Sequence, residues 1–340
     1  MRRTLVARMK PPISPPSRLP RGGLCTLLLW CGCVCAGLPE GGRCIAPAKP
    51  GGGFDLTCQF TRDVLQATGQ TRTPLAIGFQ PGGIGALAFK NAVHQNPAEP
   101  HTVLAFSSGS LLNMAQGRFG PYQVGQVRWL AAVGMDHGVV VVRKDSPHHT
   151  LPQLLAALRA QPNSVVFGAG GSIGSQDWMK AALLAKAAGV GHKAMRFVAF
   201  EGGGEALSAL TGKHVQVLTG DAAEVGRQLD QGAPVRVLAT LSEQRLAGRW
   251  AQTPTAREQG FDIRWPILRG LYMGPRVPDA VYIQWVNALN AAMEHPAANH
   301  GLAVVGLERH WVTGPALERL VQQQIEAYRA LASEFGVIRP

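Results

Sequence analysis

The residues best placed to do chemistry lie in the stretch Ser164–Gly189, SVVFGAGGSIGSQDWMKAALLAKAAG, where an apolar run, a glycine loop and an amphipathic pattern follow one another. Gly170-Gly171-Ser172-Ile173-Gly174 spells the G-x-S-x-G turn that exposes a nucleophilic serine between a strand and a helix. Gly168, Gly170 and Gly174 approximate the fingerprint that seats a dinucleotide pyrophosphate. A third chemistry involves no reaction: free N–H groups at a helix N-terminus hold an anion such as a carboxylate.

The dinucleotide pattern fits loosely, because Gly170 to Gly174 has one residue too many and the nearest strand-end acid, Glu201, lies 27 positions after Gly174. The fingerprint wants that acid roughly 20 residues on. A hydrolase needs an acid and then a histidine after Ser172, an order that Asp262 or Asp279 with His300 or His310 satisfies. However, the strand is expected to end near Phe167, five residues before Ser172, and no HGGG-like segment lies upstream. An exported serine hydrolase using Ser172 therefore stays as the alternative reading. Ser175 before Asp177 also reads as an ordinary helix N-cap. His148-His149, His192 and His214 lack metal-ligand spacing, so neither metal nor cofactor is expected. Lys49 is either a ligand counter-ion or a surface charge, and Arg269 either a counter-ion or an interlobe salt bridge.

The elements that must position these residues alternate strand with helix, the pattern of parallel α/β sheets. Cys44-Ile45-Ala46-Pro47 leads through Lys49-Pro50-Gly51-Gly52-Gly53 into a helix from about Asp55 to Thr68, with Leu56, Phe60, Val64 and Ala67 on one face. Gln80 to Gly85 opens a second helix, and the strand Val103 to Phe106 ends in Ser107-Ser108-Gly109-Ser110. Gly138 to Arg143 reads as a buried strand, after which a second round begins with the Gly168 to Ser175 loop. Glu201-Gly202-Gly203-Gly204 echoes the Pro81–Gly85 loop, and another strand ends at Thr219-Gly220-Asp221. Ile263 to Pro275 looks like a strand returning to the first lobe, and helices near Asp279–Met293 and Thr313–Ala332 close the chain. In such sheets ligands bind beyond the carboxyl ends of the strands. That rule places Gly82, Gly83, Ser107, Ser108, Glu201, Gly202, Gly203, Thr219 and Asp221 among the candidate ligand residues.

Arg2, Arg3, Arg8, Lys10, Arg18 and Arg21 precede the apolar run Leu24 to Ala36 with no acid among them, the layout of a signal peptide over residues 1–36. No later stretch approaches the roughly 20 apolar residues of a membrane-crossing helix, so an exported, soluble protein is expected. Without the leader, 27 Lys and Arg face 21 acids, and no basic cluster remains to suggest nucleic acid. Cys44 and Cys58 are the two cysteines beyond the leader. In an oxidising compartment they form either a disulfide or two buried thiols, and both readings stay open.

Five segments together resemble one family, the tripartite tricarboxylate transporter substrate-binding proteins, or Bug-type periplasmic receptors. They are APAKPGGGFDLT at 46–57, QPGGIGALAF at 80–89, VVVVRKDSPHHTLPQLLAAL at 139–158, GAGGSIGSQDWM at 168–179 and PTAREQGFDI at 254–263. FSSGSLLNMAQGRFG at 106–120, VAFEGGGEAL at 198–207 and WPILRGLYMGP at 265–275 look most like the citrate-receptor branch. The resemblance implies a two-lobed Venus-flytrap fold, each lobe a mostly parallel sheet flanked by helices. Residues 44–140 with 268–340 are expected to form one lobe and 141–267 the other. It also implies a non-enzymatic, monomeric receptor that captures a di- or tricarboxylate, citrate first, and hands it to membrane permease subunits; a partner that presents bound ligand to a signalling receptor shares this fold and stays as a second alternative beside the hydrolase. A ligand carboxylate would sit between Gly52, Gly53, Phe54 and Asp55 on one side and Gly170, Gly171, Ser172, Ile173, Gly174 and Ser175 on the other. Ala199-Phe200-Glu201-Gly202 stands where many relatives have Pro-Tyr-Lys-Gly, which bears on the distal part of that pocket.

Overall fold

The computed structural model describes residues 38 and 40–338; the leader assigned to residues 1–36 lies outside the described residues. The first half opens with β1 (Arg43–Ala46), α1 (Gly53–Ala67), β2 (Ala76–Phe79), α2 (Ala86–His94), β3 (Thr102–Ser107) and α3 (Ser108–Ala115). A 16-residue strand, β4 (Arg128–Arg143), then crosses into the second half. There follow α4 (Leu151–Ala160), β5 (Val166–Gly170), α5 (Gln176–Ala187), β6 (Arg196–Phe200), α6 (Gly203–Thr211), β7 (Val217–Asp221), α7 (Ala222–Asp230) and β8 (Val235–Thr240). The chain returns through β9 (Pro266–Met273) and ends with α8 (Asp279–Glu294), α9 (Pro296–Val305), β10 (Val312–Thr313) and α10 (Gly314–Glu334).

The strand order is β2-β1-β3-β9-β4-β7-β5-β6, with β8 and β10 also pairing β4. Parallel pairing holds in the outer strands, β2-β1-β3 and β6-β5-β7, whereas β4 and β9 make only antiparallel ladders. The sheets are therefore more mixed than the alternating pattern suggests. A chain that crosses between lobes and comes back must reverse direction, and β4 and β9 are the outward and return limbs. β4 pairs β9 from Arg128 to His137 and changes partner at Gly138, from which it pairs β7 and β8. Gly138 also donates its N–H to the Trp265 carbonyl, 2.9 Å, so the two crossing segments touch at the change of partner.

Each half buries apolar side chains on both faces of its sheet. Phe60, Leu65, Trp285 and Leu302 pack under β1, β3 and β4, while Phe89, Phe106, Leu111 and Val321 fill the opposite face. In the second half Leu154, Phe167, Met179 and Trp265 lie on one face and Leu207, Leu210, Val225 and Trp250 on the other. α10 belongs to both. It packs against α3, yet Tyr328 stacks on Trp265 at 5.9 Å and Phe335, just past the helix, meets Trp178 at 6.1 Å.

Cys44 and Cys58 form a disulfide, which ties β1 to α1 beneath the first glycine loop. Closing a loop of this length restricts the unfolded chain, so Cys44→Ala/Cys58→Ala is expected to lose ~3 kcal/mol. Urea unfolding of the double variant, and of the protein with and without reductant, checks this. A midpoint unmoved by reduction would show that the link adds nothing to stability.

Candidate functional site

Glycine loops from both halves meet along one seam. α1 starts at Gly53 with Gly52 as N-cap, and no side chain caps it. α6 starts the same way, Gly203 after an uncapped Gly202. A side chain at Gly52 or Gly202 would meet nothing within 4 Å, so both backbones are open to approach. First-turn N–H groups of such helices carry the positive end of the dipole and lack intrahelical partners. Asp55 sits buried in the first turn of α1, where its carboxylate accepts from the Gly51 N–H at 2.8 Å and braces the loop.

Opposite α1, β5 runs through to Gly170, three residues beyond the expected end at Phe167. Gly168, Ala169 and Gly170 look like loop in sequence but pair with β6. The reason is packing: a Cβ on Gly168 would lie 2.9 Å from Val215, so glycine lets the neighbouring elements close on the strand. The loop that follows is tight, with Gly171 and Gly174 at φ of +88° and +85°. Gly170 donates to Asp177 at 2.9 Å and Gly171 to the Phe200 carbonyl at 2.6 Å. Ser175 caps α5 by accepting from the Trp178 N–H, as expected of that position.

The seam is shut by contacts between the halves. Arg118, just after α3, donates to the Ser172 hydroxyl at 2.8 Å and to the Ile173 carbonyl. Gln116 donates to the Gly174 carbonyl at 2.7 Å. Lys49 pairs with Glu201 at 2.5 Å and Glu205 at 3.0 Å, an ion pair across the seam that neither reading of Lys49 named. Ile84 lies between Gly83 and Gly85, with Gly82 and Gly83 also at positive φ, and itself adopts φ +52°, an uncommon backbone for a β-branched residue. Its Cδ1 stands 3.0 Å from where a Gly171 Cβ would be, which places this strain against the opposing loop.

Beneath the loops lies a buried ionic network that joins three strands and one helix. Arg269 on β9 donates to Asp136 on β4 at 2.7 Å and to Asp221 at the end of β7 at 2.8 Å. Lys180 on α5 reaches Asp177 and Asp221, each at 2.8 Å, and donates to the Gly220 carbonyl. Gln176 donates to both Asp221 oxygens at 3.0 and 3.1 Å. Burial alone pushes Asp221 up, but Lys180 and Arg269 outweigh it and hold the carboxyl below its ordinary value. For Asp136 and Asp177 burial wins over the single nearby cation, and both are raised. Gly53 rests on this network: a Cβ there would fall 2.0 Å from an Arg269 guanidinium nitrogen.

The expected ligand residues divide accordingly. Gly170 lies against Gly202 and Gly203, Gly171 meets Ile84, and Ser172, Ile173 and Gly174 meet Arg118 and Gln116 across the seam; Gly52 is open and Gly53 rests on Arg269, whereas Phe54, expected beside them, is buried in the apolar core of the first half. Others are engaged in structure. Ser107 caps α3 and accepts from Gly109, while Ser108 is fully buried and accepts from the Leu268 N–H at 2.9 Å. Thr219 donates to the Asp177 carbonyl, Glu201 pairs with Lys49, and Asp221 belongs to the ionic network. The Gly83 carbonyl accepts from Asn113 at 3.1 Å. Sequence reading missed Gln116, Arg118, Asp136, Gln176, Lys180 and Glu224, isolated polar residues with no local spacing to mark them. The partner of Ser172 is an arginine, and no histidine shares a hydrogen bond with it among the described residues.

The family model described as tripartite tricarboxylate transporter family receptor (TctC) matches residues 73–337. A UPF0065 protein of Pseudomonas sp. strain P51 is 26% identical over 300 residues, 86% of this chain and 85% of that one. Another UPF0065 protein, from Cupriavidus necator, is 26% identical over 203 residues, and the match spans 59% of either chain. Among solved structures, the periplasmic binding protein BugD superposes with a TM-score of 0.78 at 19% identity, covering 89% of this chain and all of that one. MatC of Rhodopseudomonas palustris, solved with bound malate, gives 0.72 at 20% identity over 86% of this chain and 98% of that one. A further R. palustris protein, solved with adipate, gives 0.76 at 17% identity over 87% and 97%.

Proposed function

The chain belongs to the tripartite tricarboxylate transporter receptor family, and on that premise we propose that it is a periplasmic receptor for a di- or tricarboxylate, citrate first. The observation that carries this is the seam itself, where the uncapped N-termini of α1 and α6 and the Gly170–Ser175 loop line one interface between the halves. The buried cations are already engaged by buried carboxylates. A ligand carboxylate would therefore be met chiefly by backbone N–H groups, which recognise anions through partial charge and direction. Malate in one structural neighbour and adipate in another support a carboxylate ligand. The disulfide supports an oxidising compartment. Residues 44–140 with 268–340 and 141–267 act as the two lobes; the change of partner along β4 supports this division. Opening at that hinge admits the ligand, and closure over it presents the complex to membrane permease subunits.

Calorimetry and thermal shift against citrate, malate, adipate, amino acids and sugars test the reading. Carboxylates are expected to raise the melting temperature, since binding to the folded state alone stabilises it by ~2.7 kcal/mol at about 100 times Kd. Shifts confined to amino acids or sugars would overturn it. Ser172→Ala, which also removes the Arg118 contact, is expected to weaken binding by about 1–3 kcal/mol. The serine-hydrolase alternative predicts instead that this variant abolishes ester turnover while ligand binding survives. The receptor reading expects no Ser172-dependent turnover at all.

A further inference from the structure

Glu224 stands in the first turn of α7, and its carboxyl lies over the start of α6. A Cβ on Gly203 would fall 2.5 Å from one carboxyl oxygen and 2.9 Å from the other. The Gly203 nitrogen in turn lies 2.9 Å from where a Gly170 Cβ would be, so this carboxyl borders both loops of the second half that line the seam. No hydrogen bond or ion pair joins it to another of the described residues.

The groups around it explain why. β7 presents Asp221, α5 presents Asp177 with Lys180, β4 presents Asp136 and β9 presents Arg269. Three carboxylates share two cations here, Lys180 between Asp177 and Asp221 and Arg269 between Asp136 and Asp221. Neither cation is left for a fourth carboxylate. On α6, Glu205 is held by Lys49 and adds no positive charge. An ionised Glu224 would face these negative neighbours and also any anion held at the α6 N-terminus.

We propose that Glu224 is part of the ligand-binding surface and acts there as a carboxylic acid, donating a hydrogen bond to a ligand carboxylate. The inference rests on the carboxylate-receptor reading. It adds that the receptor with Glu224 ionised binds weakly, because two carboxylates would then meet without a proton or cation between them. Burial first, then Asp221 and Asp177, push the Glu224 carboxyl up to about 8, so the competent form prevails at neutral pH and is lost in mild alkali.

The test is calorimetry of the full protein with malate, and in parallel adipate, from pH 7 to 9.5, where these ligands are fully ionised. Affinity is expected to hold to about pH 8 and then to fall roughly tenfold per pH unit, the slope of one required proton. In two buffers of different ionisation enthalpy at pH 9, close to one proton should be taken up per ligand bound. This second measurement needs no variant. Glu224→Gln, which keeps an N–H donor and cannot ionise, should abolish both the fall and the uptake. A wild-type affinity that stays level to pH 9.5, absent proton uptake, or an unchanged fall in Glu224→Gln overturns the proposal while leaving the receptor reading intact. Failure of both ligands and of citrate to bind at pH 7 overturns the receptor reading and this inference with it.

Discussion

Replacing Arg269 with methionine is expected to cost about 3–5 kcal/mol of folding stability, because it strips the cation from two buried carboxylates. Arg269 and Asp136 are 2% and 1% exposed, and the guanidinium bonds Asp136 at 2.7 Å and Asp221 at 2.8 Å. Asp221 would keep Lys180 and Gln176. Asp136 would keep only the N–H groups of His137 and Ala223. Most of the loss should therefore come from Asp136, and Asp136→Asn in the same chain should recover a large part of it. A double-mutant cycle in urea isolates that coupling. If the double variant is no more stable than Arg269→Met alone, the loss comes from packing against Gly53 and not from charge. Arg269→Lys is expected to fall between, since an ammonium cannot present the planar fork that spans two acceptors.

This network bears on how much the sequence could disclose. The amphipathic helices were legible: the Leu56, Phe60 and Val64 face of α1, the span of α8 and the start of α10 after Thr313 follow from 3.6-residue periodicity and end signals, although Ala67, expected on the α1 face, is exposed at the helix end. The glycine loops were legible because a helix start, a positive φ or close backbone approach restricts the residue type. The first part of β4 was not, since Arg128–His137 has neither alternation nor turn signals, and only its continuation looks like a buried strand. Lys180 shows the deeper limit. A lysine on a helix is normally solvated, yet this one is 0% exposed, because the strand order brings Asp221 beside α5 from 41 positions away. Asp136 and Arg269 are joined by the same logic across 133 positions, as partners on adjacent limbs of the crossing. Sequence spacing records local geometry, and these contacts are set by the order of strands in the sheet. The closing contacts of Arg118 and Gln116 were hidden for the same reason: they act on a loop that the fold brings from more than 50 positions away.

Glu224 gives the second large effect, and its sign is opposite. In the unfolded chain its carboxyl loses its proton near 4.5, whereas in the folded protein it keeps the proton up to about 8. Below pH 4.5 both states are neutral at this position and the residue carries no penalty. As pH rises from there the unfolded chain gains the freedom to ionise and the native state does not, so stability falls by ~1.4 kcal/mol per pH unit. The loss levels off above about 8, once the native carboxyl also ionises. Glutamine has nearly the same shape and no titration, so Glu224→Gln should match the wild type near pH 4 and exceed it increasingly toward pH 8. The gain there is expected to reach up to ~4 kcal/mol, below the full linkage value because the side chain is only partly buried. Urea midpoints of the two proteins at pH 4, 6 and 8 measure the difference directly, and other titrating groups cancel in it. A gain that is the same at all three pH values would assign it to packing over Gly203 and not to the proton. A gain that grows with pH would show that the native protein gives up stability to hold a carboxylic acid at the mouth of α6. That is the cost expected of a group kept for binding, since an apolar or amide side chain in the same place would fold better.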